Sequence, residues 1–365
     1  MTFVKIKYST LALCTSLIVL FSSLVTGQNI TTPRAASPAA AVSQTIGISE
    51  VKINYSRPAV KGREIWGKLV PYGYNVQNFG AKNPAPWRAG ANENTTIEFS
   101  HDVRVEGQPV PKGIYGLFFV INQDNTGEVI LSKDYRSWGS FWYDPAHDQM
   151  HAKISVKDHT ATEILTYDFI NLSKNTGDLV LNWENKQFPV KIEFAVNDIV
   201  MANAAEELKG PTGFSWQGFE SAAHYALNEK VNLETALVWN EKAVSQNKSF
   251  NTLNTRSGLL KALGKKEEAD KIMADALPLA TENDLNNYGY QLINEQRLDK
   301  AVEIFILNTQ KYPTSANAWD SLGEAYTLKG DKENAIKNFK KSLSLNPPAG
   351  TKANSEKFLK QLGAM

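Results

Sequence analysis

The chain of 365 residues is long enough for two or three domains of about 150 residues and for a sizeable buried core. It has 39 basic and 38 acidic residues, which excludes a strongly charged surface that would attract nucleic acid or an acidic membrane. Hydrophobic residues make up 42% of the composition and aromatic residues 10%, which excludes a disordered chain and a coiled coil. The composition therefore indicates a folded, aromatic-rich protein without a nucleic-acid partner.

The first 27 residues have the pattern of a secretory signal peptide. Lys5 and Lys7 precede an apolar run over residues 11–25, and the small residue Gly27 follows it. Serine and threonine residues interrupt this run. A membrane anchor needs about 20 apolar residues, and this run is shorter. A lipoprotein signal at Cys14 is not expected, because the bulky Leu13 precedes it. We predict cleavage before Gln28.

Cleavage there would leave a mature chain with a net charge of −1 and no cysteine. Such a chain forms no disulfide and has neither a catalytic thiolate nor a cysteine-ligated zinc site. We expect the mature protein in the periplasm or secreted, without a membrane span.

Two architectures follow the signal peptide, so the predicted fold class is a multidomain α+β chain. Residues 28–45 contain a stretch rich in Ala, Ser and Pro and are predicted to be a flexible linker. Residues 46–197 alternate polar and apolar side chains between turn signals, which is typical of an antiparallel β-sandwich. The predicted strands cover residues 51–55, 96–99, 103–105, 115–121, 129–131, 153–156, 164–170, 179–183 and 190–196.

From about residue 195 the apolar period changes from two to about four, which indicates helices. We predict a linker at 198–214 and helical repeats at 215–365. Small residues recur at intervals of 33, 32 and 34 residues, at Ala236, Ala269, Ala301 and Ala335. The last copy resembles the tetratricopeptide repeat family in its side chains Trp319, Leu322, Gly323, Tyr326, Ala335, Phe339, Ser342 and Pro347. The resemblance implies a solenoid of four stacked helix pairs, and residues 351–362 are predicted to form a closing helix.

The β region also contains several distinctive motifs. Residues 55–67 read YSRPAVKGREIWG, 69–73 read LVPYG, 87–92 read WRAGAN, 111–118 read PKGIYGLF and 138–144 read WGSFWYD. Together they resemble an exported bacterial family known as domain of unknown function 2911. The resemblance covers residues 46–196 and implies no activity.

The same motifs place cationic and aromatic side chains in loops, where they could hold an anionic or sugar-like ligand. The candidate ligand-binding residues are Arg57, Lys61, Arg63, Trp66, Trp87, Arg88 and Asn92. The alternative is a structural role, because Arg and Asn in such loops often bind neighbouring carbonyl and carboxylate oxygens. We expect four further aromatic residues to seal the core, namely Trp138, Trp142, Tyr143 and Trp183.

His147 and His151 are the weak candidates for a metal site. Asp144 could cap a helical turn begun by Pro145 and so place both imidazoles on one face. No third ligand follows at a fixed spacing, so we predict no metal and no cofactor. The competing enzymatic hypothesis is a hydrolase acting on a glycan or ester through Asp144, His147 and His151, with Arg88 as an anion clamp.

The inward positions of the first helix in each repeat are rich in asparagine. An Asn amide can both donate to and accept from a peptide backbone, so a row of them favours an extended segment of a partner protein. The alternative is that Asn251, Asn283 and Asn317 simply cap helices. The candidate partner-binding residues are Asn251, Asn254, Asn283, Asn286, Asn287, Tyr290, Asn294, Asn317 and Asp320. The sequence thus favours a non-enzymatic, exported binding protein over a hydrolase.

Overall fold

The structure is a computed structural model that describes residues 32–34 and 36–365. The predicted signal peptide and the first residues of the predicted linker lie outside this range. The chain divides into two compact units, a β unit that ends at Phe194 and a repeat unit from Ala195 to Met365. Across the described residues, no helix is both long and apolar enough to cross a bilayer.

Every strand pairing in the β unit is antiparallel. The strands are β1 (Ala39–Ile46), β2 (Ser49–Ser56), β3 (Asn75–Val76), β4 (Pro84–Ala85), β5 (Thr96–Phe99), β6 (Val103–Val105), β7 (Gln108–Val110), β8 (Gly113–Ile121), β9 (Thr126–Ser132), β10 (Asp148–Ser155), β11 (Lys157–Ile170) and β12 (Thr176–Glu193). One sheet has the order β1-β2-β5-β8-β9-β10, a second has the order β11-β12-β6-β7, and β3 pairs with β4.

Aromatic side chains join the two larger sheets. Tyr55 of β2 meets Tyr167 of β11 with ring centroids 4.8 Å apart, and Phe119 of β8 meets Phe188 of β12 at 5.1 Å. Along β2, buried and exposed residues alternate, so that one face of this strand supplies the core. The predicted β-sandwich is confirmed.

The second face of β8 is buried as well, which explains its nearly continuous apolar sequence. Phe118, Val120 and Ile130 of β8 and β9 pack with Ala85 and Tyr143, which come from the segments that precede β5 and β10. These covering segments carry several of the motifs singled out in the sequence. The sandwich is therefore overlaid on this side by long loops, and those loops form the candidate site.

The linker predicted over residues 28–45 is wrong at its C-terminal end, because residues 39–46 form β1. This strand pairs with β2 along its whole length, and Gly47 takes a φ of 62° in the two-residue turn between them. Most of its side chains are small or polar, and all except Ile46 are at least partly exposed, as an edge strand allows. The sequence of β1 has no strong alternation of polar and apolar residues, so its hydrogen-bonded pairing with β2 is what makes it a strand.

The repeat unit consists of ten described helices. They are α1 (Val196–Glu207), α2 (Trp216–Glu229), α3 (Leu233–Gln246), α4 (Phe250–Ala262), α5 (Lys266–Ala276), α6 (Glu282–Asn294), α7 (Leu298–Lys311), α8 (Ala316–Lys329), α9 (Lys332–Ser344) and α10 (Ala349–Gln361). Helices α2 to α9 form four consecutive antiparallel pairs, and α10 follows them. The predicted solenoid of four helix pairs with a closing helix is confirmed.

Small residues allow the two helices of a pair to approach closely. A Cβ at Gly289 of α6 would lie 2.5 Å from the ring of Phe305 in α7, and one at Gly323 of α8 would lie 2.8 Å from Phe339 in α9. Ala269 and its repeat equivalents on the second helices are fully buried. The recurring small residues therefore mark the contact surface of each pair.

The linker predicted at 198–214 is wrong, because α1 occupies most of it. This helix buries only Val196 and Met201, and the Tyr225 hydroxyl of α2 donates to Asn197 Oδ1 at 2.9 Å. So short an apolar stripe gives little periodic signal in the sequence. A 3-10 turn at Pro211–Phe214 then leads into α2.

We expect Gly289→Ala to lower the free energy of unfolding of the repeat unit by about 1–3 kcal/mol, since the fully buried Phe305 ring cannot withdraw from the added methyl group. Gly350→Ala in α10 is the matched control, because its added Cβ would meet no atom within 4 Å. Urea unfolding followed by the helical circular dichroism signal measures both. Equal midpoints for the two variants would contradict this account of the helix pairs.

Candidate functional site

A cleft of about 410 Å³ opens among the loops that cover the β unit. Three of the predicted ligand-binding residues line it, namely Arg63, Trp87 and Arg88. Lys68 lines it too and was missed, although it lies between the distinctive motifs at 55–67 and 69–73. Its position between these two motifs was the signal that could have identified it.

Trp87 is held in place from two directions. Its backbone N–H and carbonyl oxygen form two hydrogen bonds of 2.9 Å with Phe119 of β8. Its ring stacks on Trp183 of β12, with centroids 5.7 Å apart and an interplanar angle of 17°. Trp87 is only partly buried, whereas Trp183 is fully buried. The stacked pair therefore belongs both to the core and to the wall of the cleft.

Arg88 is a half-buried cation without a carboxylate partner among the described residues. Its Nη1 donates to the carbonyl oxygen of Asn92 at 2.6 Å, and its guanidinium carbon lies 5.0 Å from the centre of the Phe141 ring. Burial lowers the pKa of this guanidinium below its ordinary value. Arg88 keeps further N–H donors that these contacts do not use.

The other four predicted ligand-binding residues have structural contacts. Arg57 donates to the Leu165 carbonyl oxygen at 2.9 Å and to Thr166 Oγ1 at 2.7 Å, which joins the loop after β2 to β11. None of the four lines the cleft. The other three each donate a hydrogen bond: the backbone N–H of Lys61 to Glu163 Oε1 at 2.8 Å, Trp66 Nε1 to Glu184 Oε2 at 2.9 Å, and Asn92 Nδ2 to the Ser37 carbonyl oxygen at 3.2 Å.

Two of the four aromatic residues expected in the core are at the surface. Tyr143 and Trp183 are buried, but Trp138 and Trp142 are 53% and 50% exposed. Phe79 is also exposed and packs edge-on against Trp142, with ring centroids 5.7 Å apart. The loop 133–147 therefore turns part of its aromatic motif outwards.

The two candidate metal ligands do not share a helical face. Asp144 caps a short turn over Pro145–His147 as predicted, but His151 lies in β10. His147 Nδ1 lies 2.5 Å from Asp134 Oδ2, and His151 Nε2 lies 2.7 Å from Asp148 Oδ2. Within residues 32–34 and 36–365, no group of three or more potential ligands is arranged around a metal position.

Asp148 also joins a wider network. The Tyr143 hydroxyl donates to the oxygen of Asp148 that His151 contacts, and the Tyr74 hydroxyl donates to Glu128 Oε2 at 2.8 Å. Burial, and then the neighbouring carboxylates, raise the pKa of both tyrosines. The residues named for a hydrolase, Asp144, His147 and His151, therefore engage different partners and do not converge on one point.

The repeat unit has a groove across the first helices of three successive pairs. This groove, of about 510 Å³, is lined by side chains of α2, α4 and α6. It contains the predicted Asn254, together with Asn228, Lys261, Gln291 and Arg297. Sequence reasoning assigned no role to Gln291 or Arg297, which lie near the end of α6. Burial lowers the pKa of Lys261 here.

Most of the other predicted partner-binding residues are accessible, although they do not line this groove. Asn286 and Asn317 are partly buried, and the exposed ones are Asn251, Asn283, Asn287 and Asn294. Asn286 Oδ1 is buried without a hydrogen-bond partner among the described residues. Helix capping does not explain Asn251, Asn283 and Asn317, since the capping side chains are Ser249, Thr281 and Ser315.

Asp320 and Tyr290 differ from this set because they are engaged within the unit. Asp320 is 5% exposed, accepts from Asn354 Nδ2 at 2.8 Å and also accepts from the Ser355 hydroxyl, both in α10. The Tyr290 hydroxyl donates to Glu324 Oε2 at 3.1 Å. Burial raises the pKa of Asp320. The assignment of Asp320 to an open groove is therefore wrong, because α10 covers it.

We expect the pKa of His147 to lie above its ordinary value of 6.5, because Asp134 accepts from and attracts the charged imidazole. The charged pair then favours the folded state below about pH 6.5, and this contribution is lost as the pH rises through the raised pKa. Asp134→Asn should return the pKa towards 6.5. Titration of the His147 ring protons by NMR measures it, and an unchanged pKa in the variant would contradict the pairing.

Residues 37–192 match the family described as Protein of unknown function (DUF2911), and residues 316–348 match the tetratricopeptide repeat. No curated protein matches the chain.

Three solved structures illustrate the similarity of the helical part. YrrB, described as a TPR protein with an unusual peptide-binding site, is 20% identical over 43% of this chain and 81% of its own, with a TM-score of 0.28. The pilF protein of Pseudomonas aeruginosa is 21% identical over 42% of this chain and 71% of its own, with a TM-score of 0.29. MamA is 19% identical over 40% of this chain and 86% of its own, with a TM-score of 0.28. Because these TM-scores are low, the assignment of the helical repeats rests on the helix pairs and on the repeat match alone. The family matches therefore cover most of the β unit, and one repeat of the repeat unit matches the tetratricopeptide repeat.

Proposed function

We propose that the protein is an exported, non-enzymatic scaffold whose repeats hold an extended segment of a partner protein and whose β unit binds a small ligand. Tetratricopeptide repeats stack into extended concave surfaces that bind other proteins. The proposal therefore assigns the two kinds of binding to the two units of the chain.

The observation that carries the proposal is the groove across α2, α4 and α6. Three side-chain amides lie in it, those of Asn228, Asn254 and Gln291, each from a different helix. An amide offers a donor and an acceptor, so a series of them can pair with the N–H and carbonyl groups of an extended backbone. Such pairing depends little on the partner's side chains, which suits a scaffold.

Export is the part of the proposal that the N-terminal pattern supports. We expect the purified native protein to begin at Gln28 and to be released without detergent, since the apolar run is short and ends before a small residue. Intact mass spectrometry of protein from its natural host measures the start. A native chain that still contains Lys5, or that requires detergent, would contradict export by cleavage.

Replacement of Asn254, Asn286 and Asn287 by Ala should weaken capture of the partner in a pull-down with the mature chain as bait. The fold should remain intact or become slightly more stable, because Ala favours helix by roughly 0.5 kcal/mol per residue and the unpaired Asn286 oxygen is removed.

Asn203→Ala is the matched control for this triple variant, since Asn203 is an exposed asparagine of α1, outside the four helix pairs. It should leave capture unchanged. If the triple variant captures the same proteins as the native chain, the asparagines do not form the binding surface.

A further inference from the structure

The cleft of the β unit has an uneven distribution of charge. Arg63, Lys68 and Arg88 line it, and none of the lining residues in the described part of the chain is acidic. Glu93, close to Asn92 in the sequence, is paired elsewhere, because the terminal nitrogens Nη1 and Nη2 of Arg34 both donate to its carboxylate. A cleft lined by charge of one sign concentrates its potential and attracts ions of the opposite sign.

The three cations are not neutralised within the unit. Arg88 and Arg63 donate to backbone carbonyl oxygens, and among the described residues neither they nor Lys68 forms an ion pair. A carbonyl oxygen satisfies one donor but carries no net charge, so the guanidinium groups keep both positive charge and free N–H groups. A half-buried cation such as Arg88 gains most from a partner that brings negative charge.

The position of Arg88 is fixed before any ligand arrives. Gly139 has a φ of 59°, and a Cβ there would lie 2.1 Å from the guanidinium carbon of Arg88. The backbone of the loop therefore lies directly against the guanidinium group, and a side chain at position 139 would displace that group. The Phe141 ring attracts the cation through its face and leaves it without a counter-charge. A preorganised donor loses little freedom when it binds.

The wall of the cleft supplies a flat apolar surface beside these charges. Trp87 and Trp183 both line it, and the indole N–H of Trp183 has no acceptor among the described residues although the residue is 1% exposed. Buried tryptophan usually finds a partner for this group. Aromatic rings also pack well against the apolar faces of ring-shaped ligands.

We infer that this cleft binds a small ring-shaped ligand that carries an oxyanion, with the carboxylate or phosphate on Arg88 and Lys68 and the ring against Trp87. A guanidinium binds either oxyanion through two parallel hydrogen bonds. The inference rests on the proposed binding role of the β unit and assigns the chemical class of its ligand.

Three sugars of similar ring size separate the contributions of ring and charge: D-glucuronate, D-glucose 6-phosphate and D-glucose. The indole N–H resonances of Trp87 and Trp183 in the full mature chain, followed by NMR during titration, report binding. We expect one or both anionic sugars to shift these resonances saturably, and D-glucose to shift them at least tenfold more weakly. The stronger of the two anionic sugars identifies a carboxylate or a phosphate as the source of the oxyanion.

Two variants test the assigned residues. Arg88→Gln should weaken binding of the anionic sugar about tenfold or more, as expected for loss of a charged hydrogen bond. Lys68→Gln should weaken it less, and this exposed residue leaves the fold unaffected. Lys61→Gln is the matched control, since Lys61 is a cation of the same segment that does not line the cleft. It should bind like the native chain.

Equal binding of D-glucose, no binding of either anionic sugar, or equal affinity of the Lys68→Gln and Lys61→Gln variants would overturn the inference. Partner capture by the repeats distinguishes this failure from failure of the scaffold proposal. If the Asn254, Asn286 and Asn287 variant still loses capture while no anion binds, only the assigned ligand class is wrong.

Discussion

The stacked rings of Trp87 and Trp183 connect the core of the β unit to its cleft. Trp183 belongs to β12 of the four-stranded sheet. The backbone of Trp87 forms hydrogen bonds with the backbone of Phe119 in β8, which belongs to the six-stranded sheet. The stack thus connects the sheets at the point where the covering loops begin. Since both rings also line the cleft, one wall of the cleft is part of the packed core.

The strands that the sequence could predict are those whose side chains alternate strongly, as in β2. Those it could not predict depend on their neighbours. The edge strand β1 has few apolar residues and is specified by its pairing with β2. The predicted strands 179–183 and 190–196 are joined in β12, because the residues between them continue to pair with β11 as far as Gln187. The register shifts in this pairing place the extra residues in β11, where bulges absorb them.

The sequence predicted which types of residue occupy the candidate site, but not which of them line the cleft and which hold the loops in place. Arg57 and Arg88 both lie in distinctive motifs that were expected to form loops, and residue type alone does not distinguish them. They differ because Leu165 and Thr166, over a hundred positions along the chain, engage Arg57. Asp320 illustrates the same limit, since the repeat register assigned it to an open surface that α10 covers. Roles set by contacts distant in sequence are not encoded in local patterns.

Besides covering Asp320, the closing helix α10 affects how a second molecule could pack against this end of the repeats. Its Leu359 is buried, and its Phe358 ring stacks on Phe339 at 5.2 Å, as the first helix of a further pair would do. Its opposite side exposes Lys357 and Lys360. A second molecule that continued the solenoid from this end would have to desolvate these ammonium groups and bring its own apolar helix face against them. These lysines would therefore weaken the stacking of a second molecule onto α10.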